Sequence, residues 1–98
     1  MTISKKLNGT ALEIALSGRL DTVTAPELET EIGSEIAGVT DLTFDFAELD
    51  YISSSGLRVL LSAHKKMMSQ GRMVVKNAND TVKEIFEVTG FCDILTVE

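Results

Sequence analysis

Tyr51-Ile52-Ser53-Ser54-Ser55-Gly56-Leu57-Arg58 joins two segments of different periodicity. Before it, Leu42-Thr43-Phe44-Asp45-Phe46 alternates as a half-buried strand does, and after it, from Leu57 to Met68, apolar residues recur at helical spacing. The junction is a strand handing over to a helix, the unit from which α/β sheets are built. Three consecutive hydroxyls therefore stand at a helix start. A first turn leaves about four N–H groups without intrahelical partners and carries roughly half a positive charge, which suits a carboxylate or a phosphate. Two readings follow: one serine caps the helix and the others solvate the loop, or one of them carries a phosphoryl group.

Working outward, the helix is predicted from about Ser54 to Ser69. Its polar stripe is Arg58, Ser62, Lys65 and Ser69. Leu57, Leu60, Leu61 and Met68, with Val59, Ala63 and Met67, give it wide apolar coverage for packing on a sheet. Gln70-Gly71 stops it, and Met73-Val74-Val75 is a short continuous apolar strand of the kind found inside parallel sheets. Asn79 or Asp80 caps a third helix carrying Val82, Ile85 and Phe86, which Gly90 closes, and Ile94 to Val97 is a last strand.

On the N-terminal side, the strand of the opening stretch is predicted from Asp41 to Phe46, with Ala47-Glu48-Leu49-Asp50 as its exit. Residues Thr2 to Leu7 and Ala11 to Ser17 flank Asn8-Gly9, which suits a two-residue type I′ hairpin turn. Gly18 to Val23 ends the second arm. Thr24-Ala25-Pro26-Glu27 has the form of a capping box, with the Thr24 hydroxyl accepting from Glu27 N–H, and Leu28, Ile32 and Ile36 give the first helix one apolar face before Gly38. The expected order is ββαβαβαβ in a single α/β domain spanning residues 1–98: three packed helices on a mixed, mostly parallel sheet with an N-terminal antiparallel hairpin.

Composition narrows the function. The 98 residues carry a net charge of -6, unevenly placed. Between Leu20 and Leu57 there are nine acidic residues and no Lys or Arg, whereas from Arg58 to Lys76 there are five basic residues and no acidic one. Nucleic acid is not an expected ligand, because a phosphate backbone needs a net basic face and single strands need aromatic platforms. A basic protein partner suits the acidic half, and solvated helix faces are the plainer account of the same charges. No apolar run approaches the roughly 18 residues of a membrane span, and Met1-Thr2-Ile3-Ser4-Lys5-Lys6 has no signal-peptide apolar core. No membrane insertion and a cytoplasmic location are expected.

The inventory for chemistry is short. A serine nucleophile needs a base within reach, and the single histidine, His64, lies more than two helical turns along, with no Gly-x-Ser-x-Gly elbow. His64 is expected at the border of the buried face. One His and one Cys cannot form a zinc set, Asp45, Glu48 and Asp50 lack calcium-loop spacing, and the glycines give no phosphate or dinucleotide fingerprint. No catalytic residue, metal or cofactor is expected, and Cys92 reads as a core or near-core thiol. In open α/β sheets function sits beyond the carboxyl ends of the strands. Gly18 to Thr24, Asp50 to Gly56 and Lys76 to Asp80 should arrive there, bringing Asp21 near the serines.

Gly18-Arg19-Leu20-Asp21-Thr22-Val23-Thr24-Ala25-Pro26-Glu27-Leu28, Tyr51-Ile52-Ser53-Ser54-Ser55-Gly56-Leu57-Arg58-Val59-Leu60-Leu61 and the third-helix ending Val88-Thr89-Gly90-Phe91 resemble the STAS domains of bacterial anti-sigma factor antagonists. The resemblance implies a phosphoprotein of signal transduction and transcription regulation, acting by partner switching. The unphosphorylated protein would bind an anti-sigma factor serine kinase, phosphorylation would release it, and a PP2C-type phosphatase would reverse the mark. It places the phosphoacceptor at Ser55, with Ser54 as the secondary candidate, and the docking surface at Asp21, Thr22, Thr24, Ser53, Ser54, Gly56 and Arg58. Many phosphorylated members have Asp-Ser-Ser-Gly, and Ser53 holds that aspartate's place here. The alternative reading is a STAS-type accessory subunit of the cytoplasmic ATPase of a lipid transporter, in which the serines only cap; a small-molecule sensor is a third.

Overall fold

The chain folds from its N-terminal hairpin, β1 (Thr2–Asn8) against β2 (Ala11–Leu20), which places Leu12, Ile14 and Leu16 on one face and leaves Glu13 and Ala15 half-buried on the other. A computed structural model describes residues 1–98. The elements then follow as α1 (Ala25–Glu35), β3 (Asp41–Ile52), α2 (Ser54–Met68), β4 (Arg72–Lys76), α3 (Asp80–Thr89), a 3-10 turn (Phe91–Asp93) and β5 (Thr96–Val97). The sheet runs β1-β2-β3-β4-β5, with β1 antiparallel to β2 and every other pairing parallel. This is the mixed α/β architecture expected.

One cluster joins the sheet to all three helices. It contains Leu12, Ile14, Leu42, Phe44, Phe46, Met73 and Val75 from the strands, Leu28 and Ile32 from α1, Leu57, Leu60, Ala63 and Met67 from α2, and Val82 and Phe86 from α3. Alternation in the strands and the 3.6 period in the helices aim these side chains at one another. Fully burying one such side chain contributes about 1.5–3 kcal/mol. Asn79 caps α3 by accepting from Val82 N–H at 2.8 Å, and Gly90 closes it at φ +80, a left-handed conformation that favours glycine.

Several local expectations are corrected. The hairpin turn is shifted by one residue: Asn8 pairs with Ala11, so Gly9-Thr10 are the central residues, and only Gly9 has positive φ, whereas type I′ needs it at both. The capping box does not form. The Thr24 hydroxyl instead accepts from Asp21 N–H and donates to Arg19 O, both at 2.8 Å, so it is already committed to the preceding loop. Cys92 is exposed, because the 3-10 turn after Gly90 directs Leu95 inward in its place. The same turn delays the last strand, leaving Ile94 exposed outside it. Met68, at the last residue of α2, is 71% exposed and has run past the sheet. His64 is half-buried at the border of the packed face, as expected.

The largest departure is the length of β3. It runs on from Asp45 through Ala47-Glu48-Leu49-Asp50 to Ile52, still paired with β2, although its pairing with β4 ends at Asp45↔Lys76. Two register shifts, between Ala15 and Ser17 and between Gly18 and Arg19, accommodate the extra residues of β3, and Gly18 adopts φ +93 between them. At the first shift Ala47 N–H is taken by the Asp45 carboxylate at 3.0 Å, which also accepts from Asn77 at 3.1 Å. These bonds, the Asn77 one foremost, hold the Asp45 carboxyl below the ordinary carboxylate range. β2 and β3 thus project as a two-stranded extension beyond the rest of the sheet.

Candidate functional site

The extension of β2 and β3 sets down two segments side by side. Leu20 O accepts from Ser53 N–H at 2.8 Å, so the loop after β2 and the start of α2 leave the sheet at one level. The three serines then diverge in what they do. Ser53, in extended conformation, is the N-cap: its hydroxyl accepts from Gly56 N–H at 3.4 Å and its carbonyl from Leu57 N–H at 2.9 Å. Ser54 is exposed and its hydroxyl has no protein partner. Ser55 is half-buried and its hydroxyl meets that of Thr22 at 3.3 Å.

Gly56 explains how Ser55 comes so close to the sheet. A Cβ on Gly56 would stand 2.7 Å from Leu20 Cγ and 2.8 Å from Ile52 Cγ1. Only glycine lets the first turn of α2 settle on these two buried strand ends. The requirement is close approach, not backbone freedom, since no positive φ is involved.

Asp21 arrives beside the serines, as the topology implied, between Leu20 and Thr22, which bond Ser53 and Ser55. Its carboxylate turns into its own loop, where Oδ1 accepts from Val23 N–H at 3.0 Å and Thr24 N–H at 3.1 Å, and Arg19 lies 3.9 Å from Oδ2. The Thr24 N–H bond, more than the others, holds its carboxyl below the ordinary carboxylate range. The Arg19 guanidinium also stands over the Tyr51 ring, 4.6 Å from its centre, linking the ends of β2 and β3. With Asp21 holding the turn, Val23 points outward at 85% exposure and Thr22, the residue between them, reaches Ser55.

Thr22, Ser55 and Arg58 line a shared recess of about 290 Å³ between the first turns of α1 and α2, completed by Ala25, Pro26, Glu29, Val59 and Ser62. The recess therefore brings the expected phosphoacceptor Ser55 together with Thr22 and Arg58 of the expected docking surface. Ser53, Gly56, Asp21 and Thr24 shape the surface from behind, and Ser54 stands beside it. The segment Lys76 to Asp80 does not join them: Asn77 reaches Asp45 and Asn79 donates to Leu49 O at 3.0 Å, well short of the end of β3. Sequence reasoning missed Glu29 and Ser62, which show only as polar positions on the faces of two helices not yet known to adjoin.

The STAS domain profile matches residues 2–98. This chain belongs to the STAS domain family. Two relatives of this STAS domain are close in sequence. One is a Bordetella bronchiseptica protein, BtrV, described as an anti-sigma factor antagonist, 36% identical over 94 residues, or 94% of this chain and 80% of the relative. The other is the anti-sigma-B factor antagonist of Listeria monocytogenes, 30% identical over 90 residues, covering 89% and 78% of the two chains. In fold, the STAS domain is similar to the phosphorylated form of the Bacillus cell-fate determinant SpoIIAA, with a TM-score of 0.78 at 21% identity over 99% of this chain and 91% of the other.

Proposed function

We propose that this STAS domain is an anti-sigma factor antagonist working by partner switching. It binds an anti-sigma factor serine kinase when Ser55 is unmodified, and is released when that kinase transfers the γ-phosphoryl of ATP to the Ser55 hydroxyl. In that transfer the Ser55 oxygen bonds to phosphorus as the bond to ADP breaks, and the serine proton passes to a base of the kinase. A PP2C-type phosphatase hydrolyses the ester and resets the switch. The names of the Bordetella and Listeria relatives support the reading, as does a fold neighbour solved in a phosphorylated form.

The observation that carries the reading is the division of labour among the serines. Ser53 alone caps α2, so capping does not account for Ser55, whose hydroxyl sits at the mouth of a polar recess with only another hydroxyl as partner. A phosphate attached there sits on the first turn of α2, where Ser54 and Ser55 N–H groups have no acceptor within the helix and the helix dipole favours negative charge. The domain can carry the mark without unfolding, and the added charge and bulk act on the docked partner. In the accessory-subunit reading the serines only cap, whereas Ser53 alone takes that role here.

Incubation of the chain with the serine kinase of its own operon and ATP, followed by peptide mass analysis, tests the reading. One phosphate at Ser55 and loss of the kinase complex are expected. Phosphate elsewhere with Ser55 untouched overturns the site, and a complex indifferent to phosphorylation overturns the switch.

A further inference from the structure

Resting on the reading of Ser55 as phosphoacceptor, we propose that the phosphoryl group is held within the same chain by Arg58, with the Thr22 hydroxyl as a neutral second donor. Ser55 and Arg58 are three residues apart on α2 and line the same recess, which Thr22 closes from the loop after β2. Helical side chains lean toward the helix N-terminus, so the long Arg58 side chain is directed back over the turn that bears Ser55.

Arg58 is uncommitted. It is exposed, and none of the five ion pairs of the molecule includes it. A guanidinium offers a planar fork of donors matched to phosphate oxygens, and phosphoserine brings about -1.5 to -2 charges and three acceptors. The Thr22 hydroxyl, already 3.3 Å from Ser55 Oγ, stands beside the phosphate oxygens. Glu29, on the α1 wall, is the one other charged side chain lining the recess, and its repulsion limits the strength of the clasp.

The consequence reaches the partner. Phosphorylation folds Arg58 onto the phosphate, so the docking surface loses a cation as it gains a shielded anion. Release of a partner that uses an acidic group against Arg58 then follows from lost attraction as well as added bulk.

The test places phosphoserine at position 55 of the full chain by genetic encoding and follows its second ionisation by ³¹P NMR. No kinase enters, so the result is independent of whether a kinase modifies Ser55. A nearby cation favours the dianion, so the wild-type sequence should titrate about 0.15–0.35 pH unit below Arg58→Gln, with Arg58→Lys between them and Glu29→Gln lower still. In the unmutated chain the Arg58 Nε–H resonance should shift between the serine and phosphoserine forms. Coincident titrations of the wild type and Arg58→Gln, or an unmoved Arg58 resonance, overturn the proposal.

Discussion

The hydroxyl of Thr22, in the loop after β2, lies 3.3 Å from that of Ser55, on the first turn of α2. This contact ties the two segments that the resemblance assigns to partner docking, and it runs through a residue that the alternation of the strands does not mark. The pair is open to solvent, so its bond contributes at the low end of about 0.5–1.5 kcal/mol. Thr22→Val is expected to leave urea stability within about 0.5 kcal/mol while slowing phosphorylation of Ser55 several-fold, because the acceptor rotamer is no longer held. Paired denaturation and single-turnover phosphorylation measurements check this; a variant that loses stability and keeps its rate contradicts it.

Gly56→Ala sets two magnitudes against each other. Alanine favours a helix over glycine by about 0.8–1 kcal/mol, less in a first turn, whereas forcing a methyl into a filled core costs about 1–3 kcal/mol. The new carbon would stand 2.7 Å from Leu20 Cγ and 2.8 Å from Ile52 Cγ1, so the collision outweighs the propensity. A net loss of about 1–2 kcal/mol is expected by urea denaturation, together with weaker kinase binding as the start of α2 is lifted from the strand ends. A stabilised Gly56→Ala would show that the first turn has room to move.

Much of this frame is written in the sequence, and the exceptions share a cause. Leu12, Ile14 and Leu16 alternate, Leu28, Ile32 and Ile36 recur every four, and Asn79 and Gly90 bracket α3; each signal is local and each is found in place. Thr24 misleads because a hydroxyl three residues before Glu27 has competing partners, Arg19 O and Asp21 N–H, in the loop that precedes it. Ala47-Glu48-Leu49-Asp50 reads as a loop because the register shifts on β3 break the alternation while its pairing with β2 continues. At the site, Arg58 is legible on the polar stripe of α2, and the resemblance, not spacing, singles out Ser55 among the three serines. Thr22, which the resemblance already assigns to the docking surface, is set beside Ser55 by the pairing of β2 with β3, and Glu29 becomes a neighbour of the pair only through packing of α1 on α2.

Asp21 should make part of the stability depend on pH. Its folded-state pKa is depressed, chiefly by Thr24 N–H, so its stabilising contribution is present above the unfolded pKa and is lost as pH falls through the folded one. The unfolded value is about 3.9. The stability difference between the wild type and Asp21→Ala should therefore be level from about pH 7 to pH 5 and narrow below about pH 4. Taking the difference removes the parallel contribution of Asp45, whose pKa is depressed in the same direction. A gap that widens on acidification contradicts the assignment of the Asp21 carboxylate to the backbone of its loop.

Ser53 stands where the resemblance leads one to expect an aspartate, and the structure gives that position a physical role. Its hydroxyl accepts from Gly56 N–H at 3.4 Å, a long bond, and makes no other hydrogen bond. Ser53→Ala should therefore cost at the lower end of the N-cap range, about 0.5–1 kcal/mol. Ser53→Asp keeps an acceptor and adds a charge favoured by the N-terminal end of the α2 dipole, for a gain of about 0.3–1 kcal/mol. In a domain of this size 1 kcal/mol moves the melting temperature by about 4–8 °C, so calorimetry resolves both variants and should rank Asp above Ser above Ala. The rank isolates the cap because Ser55 and Thr22 are untouched. Were alanine to melt with the wild type, Ser53 would not be holding the helix start, and the hydroxyl cluster would have to act through its exposed face alone.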